Sequence, residues 1–146
     1  MRPVETSVEV ARPAAEVFAF VSDVTNNPRF QKGMRSCEWT SPPPVDEGST
    51  YDQVAHFLGR DVVSKFVVDA YEPGRLIRFR SVAGPFPIVE TRVVEPAGPD
   101  ACRVEVTVGG SGSAFFKLAD PLLRPMVAAS VKRDYRRLAA LLQPGG

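Results

Sequence analysis

The chain carries one histidine, His56, so an imidazole general base has a single place to come from. Alternation along its segment sets His56 on one strand face with Thr50, Asp52 and Val54. Tyr51, Gln53, Ala55 and Phe57 make the other, bulkier face, which belongs inside. His56 is therefore expected to face solvent. The two cysteines, Cys37 and Cys102, together with His56 fall short of the four soft ligands of a structural zinc site. No metal and no cofactor is expected. The run Gly109-Gly110-Ser111-Gly112-Ser113 has no Gly two places after Ser111, so it is not a nucleophile elbow. It also lacks the Gly-Lys-Ser/Thr of a phosphate loop and reads as a flexible exit from the last strand. The remaining groups with chemistry to offer are Glu90, Arg92 and Tyr51. In the strand of Glu90 and Arg92, Ile88, Glu90, Arg92 and Val94 share one face, with Val89, Thr91 and Val93 on the other. Hydrophobicity alone turns Val89 and Val93 inward. Should the opposite face turn inward, Glu90 and Arg92 must pair or stay hydrated, because burying either alone is expensive.

These residues sit in a chain of 146, enough for one domain (residues 1–146) and one sizeable core. Apolar residues make up 44% and charged residues 24%, the balance of a globular protein. Eighteen basic against seventeen acidic residues give a net charge of +1, without the basic excess of a nucleic-acid binder. No apolar run approaches the roughly 20 residues of a membrane-spanning helix, so no integral membrane segment is expected. Met1-Arg2-Pro3-Val4-Glu5 has no signal-peptide core, and both cysteines read as reduced thiols in the cytoplasm.

The elements that must position the candidate residues follow from periodicity. Val4 to Val10 alternates as a half-buried strand. Pro13 suits the first position of a short helix whose apolar side is Val17, Phe18, Phe20, Val21 and Val24. Asn27-Pro28 resembles a second cap, opening a turn or two that carry Phe30 and stop at Gly33. Period two then persists through Met34 to Thr40, Thr50 to Leu58, Asp61 to Glu72, Arg75 to Val82, Pro87 to Glu95 and Cys102 to Val108. Pro- and Gly-bearing turns separate these strands, and the short connections predict an antiparallel meander. In the fourth strand Phe66 and Val68 point inward, in the fifth Ile77 and Phe79, with Arg78 and Arg80 outside. From Asp120 as cap and Pro121, a helical stripe of Leu123, Val127, Val131, Tyr135, Leu138 and Leu142 runs to Pro144. Such a helix is about 33 Å long, enough to cover the one-sided meander.

This order resembles the helix-grip fold of the START and Bet v 1-like (SRPBCC) superfamily. Val8 to Phe18 resembles the opening of the polyketide cyclase/dehydrase and lipid-transport family, as does Val21-Ser22-Asp23 followed by Asn27-Pro28-Arg29-Phe30. Phe30 stands where that family usually has Trp. Val67 to Leu76 and Arg92-Val93-Val94-Glu95-Pro96 resemble its middle strands. The resemblance implies an α+β fold. A seven-stranded antiparallel sheet curves around the C-terminal helix, with two short helices between the first and second strands. It also implies a cavity for a hydrophobic or amphipathic ligand (a lipid, quinone or polyketide). Anchored on Val94-Glu95-Pro96, it turns Glu90 and Arg92 inward. The cavity is then expected among Phe18, Tyr51, Gln53, Phe66, Val68, Phe79, Glu90, Arg92, Val104, Val106, Met126 and Val127. Met126 is included because an unbranched thioether adapts to varied ligands. The alternative is an aromatase/cyclase or dehydratase acting on a poly-ketone chain. The cyclases place Arg and Tyr in the cavity, but Val68, Asp69 and Ala70 supply no arginine at the corresponding strand, leaving Arg92 and Tyr51. Glu90 paired with Arg92 would be a weak base and chiefly a ligand-orienting group. A third class, an interaction module, needs an exposed apolar patch that the sequence does not display.

Overall fold

The computed structural model describes residues 3–57, 59–110 and 123–144, with the backbone alone at Leu123. Strand β1 (Val4–Val10) leads into helix α1 (Ala14–Val21), a 3-10 turn (Val24–Asn26) and the single turn α2 (Asn27–Phe30). Strands β2 (Met34–Trp39), β3 (Thr50–Phe57), β4 (Arg60–Glu72), β5 (Leu76–Ala83), β6 (Ile88–Pro96) and β7 (Cys102–Gly110) follow, then helix α3 (Leu123–Leu141). The expected start of that helix at Asp120-Pro121 lies outside the described residues, as do Leu58 and Ser111 to Ser113. Pro13 stands at the N-cap of α1, one position before the expected one, and Asn26 rather than Asn27 precedes α2.

The sheet runs β1-β7-β6-β5-β4-β3-β2 and every pairing is antiparallel. Only β1 leaves chain order, closing on β7 with Val4 opposite Val108 and Val10 opposite Cys102. The helical segment between β1 and β2 therefore spans from one edge of the sheet to the other. Register shifts at Met34/Ser36, Lys65/Phe66 and Val68/Ala70 add local bends to β2 and β4, and a bulged strand bends and twists more than a regular one. Glu72-Pro73-Gly74 turns the chain between β4 and β5, with Gly74 at φ 79°, a conformation that Gly adopts without steric penalty.

The inner face carries Val104, Val106, Phe66, Val68, Ile77 and Phe79, all buried. Helix α3 crosses this concave face, packs chiefly on β1, and buries Tyr135 and Leu138. On the outer face Asp69 receives both Arg78 (2.7 Å) and Arg80 (3.2 Å), as expected of arginines left outside.

Strand β6 settles its two possible faces in favour of the charged one. Arg92 is 1% exposed and Val94 is buried, while Val89 and Val93 are only partly covered. Arg92 Nη1 donates to the Val21 carbonyl and to Asn27 Oδ1, each at 2.9 Å, and Nε donates to Glu90 Oε2 at 2.7 Å. Val21 ends α1, so the guanidinium satisfies a carbonyl that has no partner within its own helix. The guanidinium carbon also lies 5.1 Å from the Phe79 ring centre, 5.5 Å from Phe30 and 5.9 Å from Tyr135. Burial alone would favour the neutral form, but Tyr135, Glu90 and Tyr51 around it hold the cation and raise its pKa.

Two stability measurements follow. Leu138→Ala should lower the unfolding free energy in urea by about 2–5 kcal/mol, as for a fully buried Leu. Leu141, three residues on and 40% exposed, should lose under about 0.5 kcal/mol on the same truncation. Equal losses at the two positions would mean that the helix is rotated from the phase described. Arg92→Met should cost about 3–5 kcal/mol by stranding the Glu90 carboxylate, and adding Glu90→Leu should recover part of that loss. A double variant less stable than Arg92→Met alone would show that Glu90 is not the group left uncompensated.

Candidate functional site

The concave face is not filled evenly. At one end Tyr51 stacks on Phe66 (ring centres 5.1 Å apart) and meets Phe79 and Trp39 edge-on at 5.5 and 5.6 Å. Phe30 meets Tyr135 edge-on at 5.3 Å, closing the ring around Arg92. At the other end a cavity of about 240 Å³ stays open. The sheet supplies Gln53, Ala55, Phe57, Val62, Ser64, Ile88 and Val108, and α3 supplies Val127, Ser130 and Asp134. Gln31, Gly33, Met34 and Phe86 complete the wall, Phe86 meeting Phe57 edge-on at 5.8 Å.

Of the residues expected around the ligand, Gln53 and Val127 line this cavity. Tyr51, Phe66, Val68, Phe79, Val104 and Val106 do face inward, but they are buried in the packed end. Glu90 stands on the same face of β6 between Ile88, which lines the cavity, and Arg92 in the packed end. Its Oε2 receives Arg92 and the Tyr135 hydroxyl (3.4 Å). Met126 does not line the cavity and is 45% exposed. At about 100° per residue Met126 lies a full step around the helix from Val127, whose face carries Asp134 and Leu138. Phe18 lies elsewhere, 5.9 Å from Tyr71, beside a surface groove of about 660 Å³ between α1 and the Pro42-Pro43 loop. His56 reaches the cavity rim, but its ring is half exposed on the outer face with Nδ1 3.0 Å from Asp61.

Periodicity places Gln53 on the inward face but does not single out Asp134. Asp134 has a side chain only 10% exposed, and its Oδ1 accepts the Lys32 backbone N–H at 3.3 Å. Burial raises its pKa and the nearby Glu90 adds to this, against the Lys32 hydrogen bond and the charges of Arg133 and Arg137. One signal was present: seven residues after Val127, an acid interrupts the apolar stripe of the helix. On the same inner face, Asn27 Nδ2 donates to Cys37 Sγ (3.6 Å), and the thiol, on the β2 residue opposite Gln53, donates to Gln53 Oε1 (3.9 Å). Burial pushes the Cys37 thiol up to about 11, with the Asn27 hydrogen bond and the Arg92 charge pulling the other way. Asn27 reads in sequence as a cap, yet its side chain belongs to the core.

The candidates for acid–base chemistry are poorly placed for it. Burial raises the Tyr51 phenol well above its usual range, and the Arg92 donors described above point at protein acceptors. Among the described residues no group of three His, Cys, Asp or Glu side chains is arranged to hold a metal ion. The geometry offers an apolar chamber with a few polar groups in its wall: Asp134 and Gln53 are held by neighbouring groups, while the buried Gln31 Oε1 has no hydrogen-bond partner among the described residues.

Comparisons with known proteins accord with this architecture. A Thermus thermophilus protein of known structure superposes with TM-score 0.78 at 19% identity, covering 96% of each chain. A START superfamily protein from Mycobacterium smegmatis gives 0.69 at 20%, covering 98% of this chain and 95% of the other. The Zhui aromatase/cyclase from a Streptomyces species gives 0.68 at 16%, covering 99% and 98%. At these identities the likeness is one of fold. Comparison with curated protein sequences finds no match. The family model for polyketide cyclase/dehydrase and lipid transport matches residues 1–143. The chain thus belongs to the polyketide cyclase/dehydrase and lipid-transport family, with the helix-grip fold of START and Bet v 1-like proteins.

Proposed function

We propose that this protein binds a hydrophobic small molecule in the chamber between the sheet and α3. The observation that carries the reading is the uneven filling of the concave face. Aromatic rings and the Arg92 cluster occupy one end, while Phe57, Val62, Ile88, Val108 and Val127 line about 240 Å³ of open space at the other. An apolar cavity of about 150 Å³ takes up benzene, so this chamber suits a molecule of about two fused rings, more if part of it protrudes. Concave, mostly apolar sites with a few fixed polar groups are the usual form of small-molecule pockets. Family membership supports the same reading. Catalysis of the aromatase/cyclase kind is the weaker alternative, because Glu90, Arg92 and Tyr51 are engaged with one another or with neighbouring rings in the packed end. Both cysteines are free and buried, which fits a reducing compartment such as the cytoplasm. No helix among the described residues is long and apolar enough to cross a membrane.

A fluorescence titration with 2-isopropylnaphthalene tests the reading. Ala55→Phe places a ring inside the chamber and should weaken binding at least about tenfold, equivalent to 1.4 kcal/mol. Ala19→Trp, in the Phe18 groove, should change the dissociation constant less than about twofold. Binding that survives Ala55→Phe and disappears with Ala19→Trp would move the site to the groove.

A further inference from the structure

Behind Gln53 runs a chain of hydrogen bonds whose direction is fixed at its far end. Arg92 is a donor only, so the Asn27 amide must turn its oxygen toward Nη1, at 2.9 Å. That turns Asn27 Nδ2 toward Cys37 Sγ, at 3.6 Å. The sulfur, already accepting from Asn27, directs its own S–H at Gln53 Oε1, at 3.9 Å. Gln53 lines the chamber, and with its oxygen held by the thiol its Nε2 has no acceptor among the described residues. An amide that would otherwise present either atom is thereby given one polarity.

Building on the chamber proposed above as the binding site, we infer that Gln53 is a specificity-determining donor that takes an uncharged carbonyl oxygen of the ligand, and that Asn27 and Cys37 are the positioning residues that hold it in that orientation. A carboxylate would serve a donor equally well, but Asp134 places a carboxyl group in the same lining, with Arg137 3.7 Å away on its half-exposed side, and a second carboxylate desolvated beside it is disfavoured. The ligand class is therefore an apolar ring system bearing a ketone, quinone or lactone carbonyl rather than a free acid. Burial keeps the Cys37 thiol protonated near neutrality, so its S–H remains available to Gln53.

Three probes of one shape test this on the full chain: 2-acetylnaphthalene, 2-isopropylnaphthalene and 2-naphthoate. The ketone should bind about three- to tenfold more tightly than the hydrocarbon, the range of one net hydrogen bond, and the naphthoate should bind more weakly than the ketone. Gln53→Leu should abolish the preference for the ketone, bringing the ratio of ketone to hydrocarbon affinity to about one. Cys37→Ala should reduce the same preference, and Cys37→Ser, which can accept and donate in turn, should restore it. The ratio of ketone to hydrocarbon affinity isolates orientation from folding, since a merely loosened chamber weakens both ligands together. Thermal unfolding of each variant confirms that it is folded. Equal binding of ketone and hydrocarbon by the parent protein, a ketone preference that survives Gln53→Leu, or tighter binding of naphthoate than ketone would overturn the inference. If none of the three probes binds, the chamber is not the ligand site and both readings fall.

Discussion

The architecture depends on one buried cation. Arg92 joins β6 to the last carbonyl of α1, to the side chain of Asn27 in α2, and to the Tyr135 ring of α3. Removed from water, a guanidinium demands partners for its donors, and only a particular placement of α1 and α2 supplies them. Apolar contacts are less exacting, since Val17, Phe18 and Val21 would gain comparable burial over a range of helix positions. A buried ion pair is weak evidence of net stability, because desolvation offsets most of the attraction. Its effect here is on arrangement: a shifted α1 would leave both a charge and a helix-end carbonyl unpaired.

The same cluster decides where the cavity is. A sheet bent by bulges encloses more volume than α3 alone fills, and the excess has to be occupied or left open. Around Arg92 it is occupied, because the cation draws Phe79, Phe30 and Tyr135 over its faces, and Tyr51 packs in turn on Phe79. The aromatics that suggest a ligand site in the sequence are thus mostly committed to this packing. Smaller residues, Ala55, Val62, Ser64 and Val108, line the opposite end together with the Phe57 and Phe86 rings. Gly84 marks how tight the margin of that end is, since a Cβ there would lie 2.7 Å from Ser64 Oγ.

The strands and their faces were largely legible because period-two alternation and Pro/Gly turns are local signals. Strand β6 was the exception. Reading each side chain by its own polarity puts Val89 and Val93 inside and Glu90 and Arg92 outside, since an isolated charge cannot be buried. The charges are not isolated, and pairing between residues two apart on one face is invisible to a scale that scores residues singly. Resemblance to a family identified the inward face where hydrophobicity misled. Asn27 shows a similar limit: an Asn before Pro is a good cap in sequence, and only the presence of Arg92 65 positions later makes its side chain a core acceptor. Met126 failed for a plainer reason, a phase difference of one residue on a helix.

Gln53 differs from these in having only half of its amide engaged by the chain. An apolar residue there would fill the wall without leaving an amide donor, whereas an apolar residue in place of Asp134 would leave the Lys32 N–H and Arg137 without its carboxylate. Polar groups in a core can be there to fix structure, as Arg92 and Asn27 do, by bonding to other parts of the chain. Gln53 bonds to the chain with one half of its amide and offers the other half to the chamber. That division separates the two roles of polarity in this protein: the inner half of the network sets the helices in place, and the outer half is what a bound molecule meets.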